Sequence, residues 1–341
     1  MARVTVMGGG VFGLAVAYEC ARRGADVRVI ERDSIGAGAS GGIVGALAPH
    51  VPEPWNDKKA FQRDSLVMAA DFWAGAGRIS GVDPGYGRLG RVQPLKDADA
   101  VAAARARAAA ARAHWPDWAG WEVTDAPGWT VRSPTGLFLR DTLSARIDPR
   151  AALGALAGAV RALGAEVIAG REAARDGAVV WATGAAGLAA LSAGRSRMVG
   201  AAVKGQALRL DFDARAAPQL YADGLHIVPH ADGTTAIGST SERDFDDPAA
   251  TDARLDAVHA RAVAACPVLA EAPVIERWAG LRPRARSRAP MLGRLPCGDY
   301  VANGGFKIGF GMAPMVAHVM ADLILEGRDA IPEGFRFADN L

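Results

Sequence analysis

The sequence predicts an α/β fold in which a parallel-sheet, nucleotide-binding domain is assembled from three separated stretches and covered by a second domain with a mostly antiparallel sheet. Three observations predict it. A strand–glycine turn–helix–strand unit fills the first thirty or so residues, the same grammar returns in the middle and at the end, and two stretches of different pattern lie between. The expected division is residues 1–85, 141–200 and 281–341 for the nucleotide domain, and 86–140 and 201–280 for the cap.

Taken in order, Arg3–Met7 reads as a short strand that a glycine cluster ends. Val11, Leu14, Ala15 and Tyr18 then fall on one helical face, and Gly24 stops that helix. Val27–Ile30 reads as a second strand ending at Glu31, so the first unit is βαβ and implies a parallel pair with a right-handed crossover. In the middle, Asp148 caps a helix with Pro149 at its first position, Gly164 ends it, and strands follow at Glu166–Ala169 and Ala178–Ala182. Tyr300–Ala302 predicts a last strand, Asn303-Gly304-Gly305 a turn, and Pro314–Glu326 a closing helix. The first intervening stretch holds an Ala/Arg-rich helix, Ala98–His114, with Trp115, Trp118, Trp121 and Trp129 read as core packing. The second has strand-like runs at Gln206–Leu210, His226–Val228 and Thr234–Ile237.

Bulk properties exclude several function classes. Lys+Arg 39 against Asp+Glu 37 leaves +2, which gives no global footprint for nucleic acid or an anionic membrane and points to a small-molecule partner. Cys20, Cys266 and Cys297 are far apart without a CxxC, and His114, His230, His259 and His318 lack ligand-like spacing; no disulfide framework or metal is expected. The apolar N-terminus is broken by glycines, and the uncharged stretches 34–52 and 177–194 are dense in Gly, Ser or Thr. The expectation is a cytoplasmic protein without a signal peptide or membrane span.

Gly8-Gly9-Gly10-Val11-Phe12-Gly13 contains GxGxxG between the first strand and helix. In that context the glycines permit a tight turn, close approach of backbone to a pyrophosphate and tight helix–strand packing, the arrangement of a Rossmann-like dinucleotide site. Glu31 stands 23 residues after Gly8, where an acid accepts from ribose hydroxyls. Neither feature separates FAD from NAD.

The loop that follows does. Glu31-Arg32-Asp33 with Gly36–Gly42 and Gly45-Ala46 resembles the second FAD-contacting loop of the D-amino-acid oxidase family, which includes the glycine and monomeric sarcosine oxidases. Ala182-Thr183-Gly184-Ala185 is similar to its ATG loop, and Ala279-Gly280-Leu281-Arg282-Pro283 with Ala289–Gly293 to its GLRP…PxIG segment. His226-Ile227-Val228-Pro229 with Ile237–Thr240 resembles its YIVP…VGAT hairpin, and Gly304–Gly309 its flavin-pyrimidine loop.

The resemblance implies an FAD-dependent oxidoreductase that oxidises the C–N bond of a small amine or amino acid, with hydride transfer to flavin and an imine that hydrolyses in water. It implies non-covalent FAD held by Gly8, Gly10, Val11, Phe12 and Gly13, by Glu31 and Arg32, and by Ala39, Ser40, Gly41 and Gly42. Val167, Thr183, Gly184, Arg282, Gly305, Phe306, Lys307, Ile308 and Gly309 complete that set. Arg282 is the implied substrate-carboxylate anchor, and a guanidinium's two-pronged donor suits that task. His226 replaces the tyrosine many members carry; it either hydrogen-bonds a substrate or titrates near neutrality, or is a strand residue satisfied by backbone. His50 and Lys307 are further candidates near the flavin, each also readable as a loop residue facing solvent. Arg284, Arg286 and Arg288 are either a solvated loop edge or a site for a second acidic group. The acceptor is O₂ or a quinone. A dehydrogenase with a non-oxygen acceptor, and a flavoprotein acting on a macromolecule-bound amine, stay open as alternatives.

Overall fold

The computed structural model describes residues 1–170 and 175–341. Among the described residues the strands form three sheets, of six, eight and two. The six-stranded sheet runs 291–294, 300–303, 178–181, 3–7, 26–31, 166–169. All its pairings are parallel except 291–294 with 300–303. Strand Arg3–Met7 has the next strand in sequence on one side and Ala178–Trp181 on the other, so the chain changes winding direction at its carboxyl end. In an open α/β sheet that switch point is where ligands bind.

The first βαβ unit forms as the sequence predicts. Gly10 precedes helix Val11–Arg22, the chain leaves it through Arg23 and a left-handed Gly24, and the fully buried Leu14, Ala15, Val16 and Ala17 pack into the main core. Asp148 caps helix Pro149–Ala162 by accepting from the Arg150 and Ala151 amides, each at 2.9 Å. Two elements differ from the sequence reading. A long helix, Asp57–Ser80, occupies a stretch to which no element was assigned; Asn56 caps it and the left-handed Gly81 ends it. The closing helix begins at Gly309 rather than Pro314. Proline inside a helix lacks an amide donor and its ring crowds the carbonyl of the preceding turn, and the neighbouring Met315 amide finds Ser65 Oγ on the long helix at 3.2 Å. Gly309–Glu326 is long and apolar enough to cross a membrane, but it is mostly buried and packs on helices 11–22 and 57–80.

The eight-stranded sheet runs 274–285, 200–210, 235–238, 225–229, 219–222, 91–94, 138–141, 121–124. Its pairings are antiparallel except 219–222 with 91–94. The 12-residue strand Val274–Ala285 carries the GLRP segment and passes through residue 281, where the sequence analysis divides the chain. Of the four tryptophans, Trp115 and Trp121 are buried edge to face at 5.7 Å, and Trp129 donates to Pro218 O at 2.7 Å. Trp118 departs from the core-packing expectation: it is half exposed beneath the Arg88 guanidinium.

Candidate functional site

The glycine turn is shaped by what a side chain would strike. Gly8 has φ +114°, and a Cβ there would lie 2.5 Å from Ala182 O. At Gly13 a Cβ would run into Gly8 O, so helix and turn close to a distance that only glycine permits. The first turn of any helix leaves amides without intrahelical acceptors, and Gly10 supplies no capping side chain. Ser40 Oγ accepts from the Val11 amide at 3.0 Å, which brings the second loop to the helix N-terminus. That loop is anchored further by the Gly36 amide on Gly9 O at 3.1 Å and by a 3-10 turn over Ala39–Gly41. A Cβ on Gly41 would strike Gly36 O, and Gly42 faces the Trp278 ring. Glu31 Oε2 accepts from the Gly9 amide at 2.6 Å and Oε1 from the Asp33 amide at 3.0 Å, so the carboxylate locks the turn. Arg32 lies at the exposed rim, bonded to Asp33.

The remaining loops converge on the same edge. Val167 pairs with Val29 next to Glu31, and Thr183-Gly184 follows the strand paired with Arg3–Met7. Asn303 Nδ2 donates to Gly184 O at 3.0 Å, tying the ATG-like loop to Gly304. Gly305 lies against the Phe12 ring, and Gly309 approaches Val11. Phe306 sits at φ +44°, its amide on Pro283 O at 2.9 Å, with Arg284 over its ring; Ile308 caps the closing helix. Bare glycine cradles, a helix start whose own N-cap residue carries no side chain and loops from three parts of the chain fit a dinucleotide cofactor, and this set of residues would hold FAD.

Above these loops stands one face of the eight-stranded sheet. Register places Tyr221, His226, Gly238, Ala207 and Trp278 in one row across it. Trp278 reaches Gly42, and Val44 packs against Gly238, so this face turns toward the second loop. Arg282, four residues on from Trp278, shares the face and is 9% exposed. Its Nη1 donates to Thr240 O at 3.1 Å, and among the described residues no carboxylate lies within ion-pair distance. Burial lowers its pKa to about 10, opposed by the more distant Glu242. Lys307 is lowered first by loss of hydration around its ammonium and then by Arg282.

His226 lies against Tyr221, the rings tilted by 49° with centroids 4.8 Å apart, and its Nδ1 is buried without a partner among the described residues. Burial first, then Arg91 and Lys307, push its pKa down to about 3. Partial burial and the two cations therefore favour the neutral ring. His50 is tied to the buried Gln62 through its amide at 2.8 Å and through Nδ1, and burial lowers its pKa as well. Arg286 Nη1 donates to Leu341 O at 2.7 Å and Arg288 is exposed, so neither joins Arg282 at the site.

Sequence reasoning missed Arg91, Tyr221, Trp278, Thr240 and Gly205. Arg91 is buried, donates to the fully buried Asp141 at 2.9 Å and lies over the Tyr221 ring. The one signal available was Gly205, a glycine immediately before the strand-like run Gln206–Leu210.

Comparisons with known proteins agree with this architecture. The chain is 27% identical over 347 residues to the bifunctional protein ThiO/ThiG of Nostoc sp., covering 95% of this chain and 52% of that one, so it spans about half the length of that relative. It is 28% identical over 361 residues to a glycine oxidase of Pseudomonas aeruginosa, covering 96% of both. The crystal structure of glycine oxidase from Geobacillus kaustophilus superposes with a TM-score of 0.85 at 21% identity, covering 99% of both chains. The description "FAD dependent oxidoreductase" (DAO) matches residues 3–323, and the chain belongs to that family.

Proposed function

We propose that the protein oxidises the C–N bond of a small amino acid or amine, with FAD held without a covalent link between the parallel sheet and the cap sheet. The observation that carries this reading is Arg282, a buried guanidinium with a single backbone acceptor and, among the described residues, no carboxylate in contact. Such a group favours an anionic partner brought by the substrate. Bound FAD supplies the two-electron acceptor for the substrate α-carbon. The chain's own residues do the rest. Arg282 takes the carboxylate, the aromatic row of Trp278, His226 and Tyr221 excludes water, and the neighbouring cations favour an amine that binds uncharged. No side-chain base is assigned, and the imine product hydrolyses in water after release.

The relatives named glycine oxidase support a small substrate, and O₂ or a quinone is the acceptor in this proposal. The proposal also keeps the division into residues 1–85, 141–200 and 281–341 for the cofactor and 86–140 with 201–280 for the substrate, and a cytoplasmic location. Anaerobic mixing of the yellow holoprotein with glycine, sarcosine, proline and D-alanine tests it. At least one should bleach the flavin within seconds. Bleaching by a hydroxy acid and by none of these amines rejects C–N oxidation. Acid precipitation should leave the colour in the supernatant; colour in the pellet rejects non-covalent binding.

A further inference from the structure

Strands Gly200–Leu210 and Val274–Ala285 face each other with Gly205 directly opposite Gly280. Two facing glycines inside a long antiparallel pair give up cross-strand packing. Neither has a left-handed φ, so backbone conformation does not require them. Their neighbours account for both. A Cβ on Gly280 would lie 2.5 Å from Trp278 Cζ2, and a Cβ on Gly205 would fall inside the Arg282 guanidinium, striking Cζ, Nη1 and Nη2 together. The bare backbone is a seat for two planar side chains of strand Val274–Ala285, the Trp278 indole over Gly280 of its own strand and the Arg282 guanidinium over Gly205 of the neighbouring one.

A guanidinium is weakly hydrated on its faces and donates only in its plane. Lying flat on Gly205, Arg282 spends a face on the sheet and keeps its donor edge free, with one donor on Thr240 O at 3.1 Å. The far end of a long side chain is the easiest thing in a packed site to displace. A methyl at 205 therefore moves the guanidinium and leaves the backbone where it is.

We propose that Gly205 is a positioning residue for substrate binding: by leaving the sheet bare it sets the place and tilt of the Arg282 guanidinium. This rests on the reading of Arg282 as the carboxylate anchor.

The test uses holoenzyme of Gly205→Ala, Arg282→Ala and the double variant, with whichever of glycine, sarcosine, proline and D-alanine the wild type oxidises fastest. Gly205→Ala should keep its flavin and thermal midpoint and raise KM about tenfold or more with kcat changed less than about threefold. In the Arg282→Ala background the same methyl should add less than about a twofold loss of kcat/KM, because its target is gone. An unchanged KM in Gly205→Ala, an additive loss in the double variant, or loss of flavin overturns the proposal. If Arg282→Ala itself keeps wild-type kcat/KM, the anchor reading fails separately. The crystal structure of Gly205→Ala then decides: a guanidinium still on the sheet and still bonded to Thr240 O overturns the positioning role, and a displaced one supports it.

Discussion

The two large sheets use glycine for opposite purposes. In the six-stranded sheet and its loops, a Cβ at Gly8, Gly13 or Gly41 would meet backbone carbonyl oxygens: Ala182 O, Gly8 O and Gly36 O. In the eight-stranded sheet, a Cβ at Gly205 or Gly280 would meet side-chain tips, those of Arg282 and Trp278. Backbone cannot give way without unmaking the turn, whereas a side-chain tip can. The first kind of glycine makes a cofactor cradle possible; the second sets where a working side chain stands. Substitutions in the two regions should therefore fail differently, one in cofactor loading and the other in substrate affinity.

The largest effect is expected in the cradle. Gly13→Val should give nearly flavin-free protein, because its side chain would enter the space of Gly8 O and the Ala182 side chain beneath the helix. The ratio of flavin to protein absorbance reads this directly, and normal loading would erase the distinction between the two glycine classes. Next comes the anchor. Arg282→Ala should keep flavin and lose on the order of a hundredfold in kcat/KM, since a desolvated charge-assisted pair is removed. Arg282→Lys should recover only part, because an ammonium lacks the planar fork. Wild-type kcat/KM in Arg282→Ala would show that the cap face binds no carboxylate there.

The same contrast explains how much the sequence disclosed. Gly8 and Gly13, which face backbone, stand with Gly10 at fixed offsets along one stretch, and so they form a motif that can be read before folding. Glu31 is legible with that motif by its offset, whereas Ser40 and Thr183-Gly184 are legible by resemblance. The cap site is made by register instead: Trp278 meets Ala207, Ala207 meets Gly238, and Gly238 meets His226, from four strands that carry no common spacing. Arg91 reaches the row through a parallel pairing with 219–222 that no local pattern announces. Arg282 was found by resemblance, but its seat on Gly205 was not. The helix Asp57–Ser80 escaped for another reason. Its buried positions Phe61, Ser65, Leu66, Ala69, Trp73 and Ala76 have helical spacing but mix with Gly, Ser and Gln, which dilutes the apolar stripe.

A smaller effect tests how the cradle is held from below. Asp322 on the closing helix accepts from Arg23, just after the first helix, at 2.6 Å and from Arg328 at 3.1 Å. The Arg328 bond, aided by Arg23 and His318, holds its pKa at about 2 against an ordinary 3.8. A carboxylate depressed in the folded state contributes stability that is fully present above the ordinary value and is lost as pH falls through the folded one. Asp322→Asn should therefore cost about 1–2 kcal/mol at pH 7, discounted for the exposed Arg328, and nothing below about pH 2. Denaturant midpoints at pH 7 and pH 3 measure it; equal losses at both would assign the effect to packing.

The smallest expected effect concerns His226, and it probes whether the cap face works through charge or through shape. The ring is tilted against Tyr221 at 4.8 Å and its pKa is pushed down to about 3, which favours the neutral form through the working range. Phenylalanine keeps the aromatic volume and removes only ring nitrogens, one of them unpartnered. His226→Phe should change kcat/KM by no more than about fivefold, with profiles from pH 6 to 9 that superimpose on wild type after scaling. Stability should move the other way. A histidine whose folded pKa lies below the ordinary 6.5 takes up a proton on unfolding, so the wild type loses stability as pH falls from about 6.5 toward 3. The phenylalanine variant lacks that loss, and its thermal midpoint should fall less than that of the wild type between pH 7 and pH 5. An acid limb in the wild-type pH–rate profile that vanishes in His226→Phe would mean that the imidazole is protonated in the working enzyme. It would then act as a third cation beside Arg282 and Lys307 rather than as a neutral wall.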